Sequence, residues 1–142
     1  MEKLKKGMTT QQLQDAINHQ TNFMRYNHML LTVLTPEIAV VTLTPGEHNR
    51  NLSGNVHGGA LMALADSVAG ALARAAGCGP YVSLSGNLNF IKGVAEGEVA
   101  ATATLLHGGR STSVINVDIT NCQNARIAQG TFTLFRLGDW ED

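Results

Sequence analysis

The chain has 142 residues, of which 44% are hydrophobic and 15% are charged, and its formal net charge is −1. This length fits one domain with a substantial core better than two independent domains. The 10 basic residues balance 11 acidic ones without a basic run beyond the N-terminal lysines, which excludes an electrostatic footprint for nucleic acid.

The first elements predicted along the chain are a helix and two short strands. Thr9 and Gln12 have the spacing of a capping box, and the apolar residues that follow favour a helix over residues 9 to about 24. Apolar segments on either side of Pro36 predict two strands, and the dipeptide Pro45-Gly46 ends the second. We treat residues 1–28 as an extension of a single domain that spans residues 1–142.

The next element is a helix over the segment from His57 to Ala76, in which small apolar residues dominate. Its side chains are charged or hydroxylated only at Asp66, Ser67 and Arg74. A helix that is apolar almost all round belongs inside a protein. The sequence therefore predicts a buried central helix, ended by the glycines that follow it.

Four segments after Pro80 have the pattern of strands. In the third, Ile115, Val117 and Ile119 alternate with polar residues, the period of a strand with two unlike faces. Four consecutive strands with short links predict an antiparallel meander. The expected fold is α+β, with the long helix lying across a curved antiparallel sheet.

Asp66 is the principal candidate for chemistry. The residues three and four positions away on the helix are Met62, Ala63, Ala69 and Gly70, so nothing local pairs with it. Burying a carboxylate without a partner is costly. An acid kept in such a place is a candidate general base or nucleophile, and we expect it to be buried.

The tripeptide His57-Gly58-Gly59 directly precedes this helix. Backbone N–H groups in the first turn of a helix have no intrahelical acceptors, and glycines let a ligand approach them closely, as an oxyanion site requires. The same tripeptide recurs at residues 107–109, where no helix follows. We interpret that second copy as a hairpin turn.

Other classes of site find little support in the sequence. The 5 histidines and 2 cysteines lack the spacing of zinc ligands, and no glycine loop for phosphate or G-x-S-x-G motif is present, so we expect no metal and no cofactor. Asp118 is predicted to face solvent. Arg74 and Arg110 are interpreted as surface charges, although either could meet a nucleotide phosphate.

The expected compartment is the cytoplasm. Cys78 and Cys122 fit no disulfide framework, and the basic N-terminus lacks the apolar region of a secretory signal. No apolar stretch reaches the length of a transmembrane helix without interruption, so no membrane partner is expected.

A longer pattern joins these candidate residues. The spacing N-x5-H-G-G-x4-L-x-D, which runs from Asn51 through His57 to Asp66, resembles that of the PaaI-type hotdog-fold acyl-CoA thioesterases. The similarity continues through VSLSGNLNFIKGVAEGE and the C-terminal AQGTFTLFR, and it covers about residues 29 to 137.

The resemblance implies a hotdog fold and an assembly. It implies a homodimer whose sheets join edge to edge, paired again into a dimer of dimers, with the active site between subunits. The low content of charged residues agrees with hidden surface of this kind. The substrate would be an acyl-CoA, and coenzyme A would be a product rather than a cofactor.

The resemblance also implies roles for individual residues. Asp66 would be the general base or nucleophile, and the N–H of Gly59 from the other subunit would polarise the thioester carbonyl. His57 would shape the loop, and Asn51 would position the water or the thioester. A hydroxyl, from Ser83 or from Ser85 on the same predicted strand face, would hold the water. We assign substrate binding to Gly58, Ser67, Asn87 and Arg110.

Three alternatives stay open at this point. One is an acyl-CoA binding protein on the same fold without catalytic activity. Another is a hotdog dehydratase, in which His57 and Asp66 would act as a pair. The third is a structural partner protein that has no affinity for acyl-CoA.

Overall fold

The structure is a computed structural model that describes residues 4–142. These residues form helices and one sheet. In chain order the elements are α1 Thr10–Gln20, α2 Asn22–Tyr26, β1 Met29–Leu34, β2 Ile38–Leu43, a short 3-10 helix Glu47–Asn49, α3 Gly58–Gly77, β3 Tyr81–Phe90, β4 Val99–Gly108, β5 Thr112–Thr120 and β6 Arg126–Arg136. Both strands around Pro36 and the central helix lie where the sequence predicts them.

The N-terminal helix begins as predicted but ends earlier. The capping box is present, since Thr9 Oγ1 accepts from the Gln12 N–H and the Gln12 side chain accepts from the Thr9 N–H. The prediction of one helix to about residue 24 was wrong, because Thr21 leaves the helical conformation at φ −89° and ψ 87°. A short second helix restarts at Asn22 and turns the chain toward β1.

Side chains of α1 fasten it to an irregularity in β1. The pairing of β1 with β2 shifts register between Leu31 and Val33. Asn18 donates to the Leu31 carbonyl at 2.9 Å and accepts from the Leu31 N–H at 2.9 Å, and Gln14 donates to the same carbonyl. These bonds fix α1 beside the sheet.

The six strands form one antiparallel sheet in the order β1-β2-β4-β5-β6-β3. The predicted four-strand meander is correct for β4, β5 and β6 but wrong for β3, which pairs with β6 at the sheet edge. The link over residues 91–98 makes this crossing possible. The carbonyl of Val94 in that link accepts from the Val56 N–H, which ties the link to the loop before α3.

The core lies between α3 and the sheet. Leu64, Val68 and Leu72 of α3 are fully buried, and the alanines between them let the strands approach closely. Phe132, Ile115 and other strand residues complete the core. This is the α+β arrangement implied by the resemblance to hotdog proteins, with a long central helix wrapped by a curved sheet.

The helix α3 is long and apolar enough to cross a membrane by length and composition alone. Asp66 and Arg74 interrupt its apolar run, as the sequence indicated. Ten of its residues are buried within the fold. Its apolar surface is accounted for by packing against the sheet.

Leu72 is buried and Leu52 is exposed, so truncating these two leucines should affect stability differently. Leu72→Ala should lower the free energy of unfolding by about 2–5 kcal/mol, because it empties a filled site in the core. Leu52→Ala removes the same atoms from a residue that is 108% exposed. It should change the free energy of unfolding by less than about 0.5 kcal/mol. Chemical denaturation at one fixed protein concentration measures both. Equal effects would contradict this description of the core.

Candidate active site

Asp66 lies in the middle of α3 and meets a side chain from β3. Ser83 Oγ donates a hydrogen bond to Asp66 Oδ1 at 2.6 Å. The prediction that Asp66 is buried and unpaired was wrong, since it is exposed in the single chain and has this partner. The reason is the position of β3 at the sheet edge, which leaves one side of α3 uncovered beside it.

The structure also distinguishes Ser83 from Ser85. Ser83 is opposite Leu134 of β6, and Ser85 is opposite Thr133, so the register shifts by one residue at Leu84. Adjacent residues of β6 face opposite sides of the sheet, and Leu134 is buried in the core. Ser83 therefore faces α3 while Ser85 faces away, and the prediction that they share a face was wrong.

The N-terminus of α3 is capped by His57. Its Nδ1 accepts a hydrogen bond from the Gly59 N–H at 2.8 Å, and its carbonyl accepts from the N–H groups of Ala60 and Leu61. Within residues 4–142, the structure shows no acceptor for the Gly58 N–H. The donor expected to polarise a carbonyl, Gly59, is thus occupied by the His57 ring in this state.

The strand β3 runs beside α3 along its whole length, in the opposite direction. A Cβ atom at Gly58 would lie 3.4 Å from the ring of Phe90, and one at Gly86 would lie 3.2 Å from Met62 Cε. Ser83 meets Asp66 further along. The Phe90 end of β3 therefore lies at the N-terminus of α3, and the Ser83 end lies at Asp66.

Asn51 shapes the loop that precedes α3. Its Oδ1 accepts from the N–H groups of Ser53 and Asn55, and its own N–H donates to the Asn55 carbonyl. The carboxamide oxygen is therefore engaged by the loop. The Nδ2 group is the part of this exposed side chain that can reach a ligand.

A cavity of about 870 Å³ opens beside Asp66. Its walls come from α3, α1, the start of β3 and the C-terminal tail. Among its lining residues are Ala16, Ile17 and Met24 from the N-terminal helices, Asp66, Ser67, Gly70, Ala71 and Arg74 from α3, Tyr81 and Ser83 from β3, and Trp140 from the tail. We call this cavity the cleft; its volume suits a small organic ligand.

The sequence suggested that Arg74 is a surface charge, but the structure does not place it on the surface. It is half-buried in the cleft, where it donates to the carbonyls of Gly70 and Tyr81. Burial lowers the pKa of Arg74, and the charge of Asp66 offsets part of that shift. The sequence spacing could have shown that Arg74 lies near Asp66, since residues 66, 70 and 74 share one face of a helix.

The remaining predicted residues lie in different places. Ser67 lines the cleft next to Asp66. Asn87 is opposite Thr131, on the face of β3 that points away from α3, and Arg110 is exposed in the turn between β4 and β5. The structure does not bring these last two to the cleft of their own chain. Asp118 is paired with Arg126 on the outer face of the sheet.

Residues 4–142 contain no group of three or more His, Cys, Asp and Glu side chains arranged to hold a metal ion. The second His-Gly-Gly copy lies where β4 ends, and the Gly109 N–H donates to the Thr112 carbonyl in the predicted turn.

Comparison with protein families gives a match to the thioesterase superfamily over residues 53–128. The Bacillus subtilis protein named "Putative esterase ComA2" is 35% identical to the chain in an alignment 124 residues long, which covers 78% of this chain and 96% of ComA2.

Two solved structures are similar in both fold and sequence. A mutant of the phenylacetic acid degradation protein PaaI from Thermus thermophilus is 31% identical with a TM-score of 0.76, over 81% of this chain and 98% of that one. The smu.793 protein of Streptococcus mutans UA159, solved with bound acetyl-CoA, is 26% identical with a TM-score of 0.74, over 78% and 90% of the two chains.

The capping geometry predicts that the two histidines of the repeated tripeptide differ in importance. His57→Ala should lower the free energy of unfolding by about 1 kcal/mol, because it leaves the Gly59 N–H without its acceptor. His57→Asn, which can cap, should recover most of this loss. His107→Ala is the matched control and should change stability by less than about 0.5 kcal/mol. Chemical denaturation of the three variants would contradict the assignment if His107→Ala cost as much as His57→Ala.

Proposed function

Because this chain belongs to the thioesterase superfamily, and to its PaaI-type hotdog group, we propose that it hydrolyses acyl-CoA thioesters to a free carboxylic acid and coenzyme A. The observation that carries the proposal is the 2.6 Å hydrogen bond between Ser83 and Asp66 at the cleft. It places a carboxylate and a hydroxyl together, beside space for an acyl group.

The reaction assigns a role to each of these groups. Asp66 takes a proton from a water molecule that Ser83 helps to hold, and the water oxygen attacks the thioester carbon. The C–O bond forms, the C–S bond breaks, and the proton passes to the departing sulfur of coenzyme A. If Asp66 instead attacks the carbon itself, water then hydrolyses the resulting anhydride and gives the same products.

A carbonyl donor from a second copy fits this geometry. Along α3, Gly59 and Asp66 are about 10 Å apart, at 1.5 Å per residue, so one thioester carbonyl cannot easily meet both within one chain. If two copies pair antiparallel through β3, the Phe90 end of one strand lies beside the Ser83 end of the other. The N-terminus of α3 from one copy would then lie near Asp66 of the other.

The edge strand β3 supports such a pairing. Most of its residues are exposed, and the strand contains neither a charged residue nor proline to discourage pairing at its free edge. Pairing there would give the homodimer implied by the resemblance. The substrate carbonyl would displace the His57 ring from the Gly59 N–H, and Asn51 Nδ2 would add a second donor.

A single chain does not supply the His57–Asp66 pair that a dehydratase would use. His57 Nδ1 is bonded to the Gly59 N–H, and His57 is about 13 Å from Asp66 along the axis of α3. The two side chains therefore do not form an acid–base pair within the chain. In the proposed dimer they would come from different copies, and release of free coenzyme A, which a dehydratase does not catalyse, separates the two functions. A binding protein without activity is separated from an enzyme by the first experiment below.

Removing the acid should abolish most of the activity. Asp66→Asn keeps the shape of the side chain but cannot take a proton, so kcat should fall about 10²- to 10⁴-fold. Ser83→Ala should lower kcat less, by about 10-fold, because Asp66 remains. Ser85→Ala, on the opposite face, is the matched control and should retain wild-type activity. Thiol release from short, medium, long and aryl acyl-CoAs measures these rates.

An active Asp66→Asn variant would contradict the proposed role of the acid. Binding of acyl-CoA by the wild type without any thiol release would favour the binding protein instead.

A charge near the middle of β3 should separate the dimer. In Ser85→Lys the two lysines would lie close together across the axis that relates the paired strands, and like charges at that position destabilise pairing. We expect light scattering to show monomers. Activity should be lost as well, because the proposed site needs the Gly59 N–H of a second copy. Thr32→Lys on β1, at the opposite sheet edge, should leave both unchanged. Dissociation by Thr32→Lys alone would place the interface at β1.

A further inference from the structure

Arg74 occupies a position in the cleft that the hydrolytic step does not use. It follows Asp66 by two turns on the same face of α3, with Gly70 between them. A Cβ atom at Gly70 would lie 2.8 Å from Arg74 Nη1. The absence of that side chain lets the guanidinium fold back over Gly70, to a level about 6 Å along the helix axis from Asp66.

The bonds of Arg74 leave part of its guanidinium free. Nη1 donates to the Gly70 carbonyl at 3.0 Å and Nη2 donates to the Tyr81 carbonyl at 3.2 Å. A guanidinium has five N–H donors, so others have no acceptor in the described part of the chain. No buried side-chain nitrogen there lacks a partner, so Nε, for which no bond is described, is accessible to solvent.

The charge of Arg74 is only partly compensated. Both acceptors are neutral carbonyls, and the ion pairs described for residues 4–142 do not include it. Asp139 at the rim of the cleft is already paired with Arg136 at 2.7 Å. Asp66 acts on Arg74 through space, while burial disfavours the cation. A carboxylate bound in the cleft would supply the missing counter-charge.

We propose that Arg74 is a specificity-determining residue that binds a carboxylate at the far end of the acyl group. The inference rests on the proposed thioesterase function and names its substrate class, the coenzyme A monothioesters of short dicarboxylic acids. With the thioester carbon at Asp66 and Ser83, the distal carboxylate reaches the guanidinium about one helical turn away. The planar fork of arginine suits a carboxylate better than a lysine ammonium does.

The test compares thioesters of equal chain length. Glutaryl-CoA is set against valeryl-CoA, and adipyl-CoA against hexanoyl-CoA, with thiol release followed to obtain kcat/KM. The wild type should prefer the carboxylate-ended substrate of at least one pair by about 10- to 100-fold. Arg74→Gln should remove most of that preference, and Arg74→Lys should keep an intermediate part.

The preference ratio separates specificity from a structural role. If Arg74 only tied β3 to α3 through Tyr81, its loss would slow both members of a pair alike and leave the ratio unchanged, which would overturn the proposal. Arg126→Gln, on the outer face of the sheet, is the control and should keep the wild-type ratio. If Arg74→Gln fails to fold, the ratio measured with Arg74→Lys decides.

Failure of this inference can be told apart from failure of the proposed function. Hydrolysis of phenylacetyl-CoA, dodecanoyl-CoA or the methyl-ended substrates, without a preference for carboxylate-ended ones, overturns the inference alone. No hydrolysis of any of these thioesters overturns the proposed function, and the inference with it.

Discussion

The packing of α3 against the concave face of the sheet is the interaction on which the other features of this chain depend. The helix is apolar on nearly every side, and its alanines let the strands approach closely. A helix covered in this way has few positions at which a polar side chain can meet solvent. Asp66 and Arg74 both lie on the side beside the edge strand, and the cleft forms there.

The edge strand β3 links the fold to the site. It carries Ser83 to Asp66, its far end packs on Gly58, and the irregularity at Leu84 decides which serine faces the helix. An unpaired edge of this kind is open to a second copy of the chain. One strand thus connects the proposed catalytic pair, the proposed donor at the helix N-terminus and the proposed dimer.

Local signals in the sequence were sufficient to predict the start of α1, the central helix and the strands, but not the break that separates α2 from α1. The capping box at Thr9 is an interaction between near neighbours, so residue type and spacing reveal it. The cap at His57 was not predicted, because its sequence context was interpreted as an oxyanion site. The end of α3 was also predicted, although Cys78 rather than a glycine adopts the left-handed conformation there, with φ 50° and ψ 46°. The pairing of β3 with β6 depends on residues far apart in the chain, and no local pattern encodes it. The Ser83–Asp66 bond and the exposure of Asp66 follow from that pairing, so both escaped prediction.

The proposed function requires that a thioester is cleaved between Asp66 and Ser83 with its acyl group in the cleft. The most direct measurement is a crystal structure of Asp66→Asn with an intact acyl-CoA bound. In that structure the thioester carbon should lie beside residue 66 and Ser83, and its carbonyl oxygen should meet the Gly59 N–H of a second copy paired through β3. The acyl group should extend toward Arg74. An acyl-CoA bound elsewhere, or a dimer joined at another edge, would contradict this proposal.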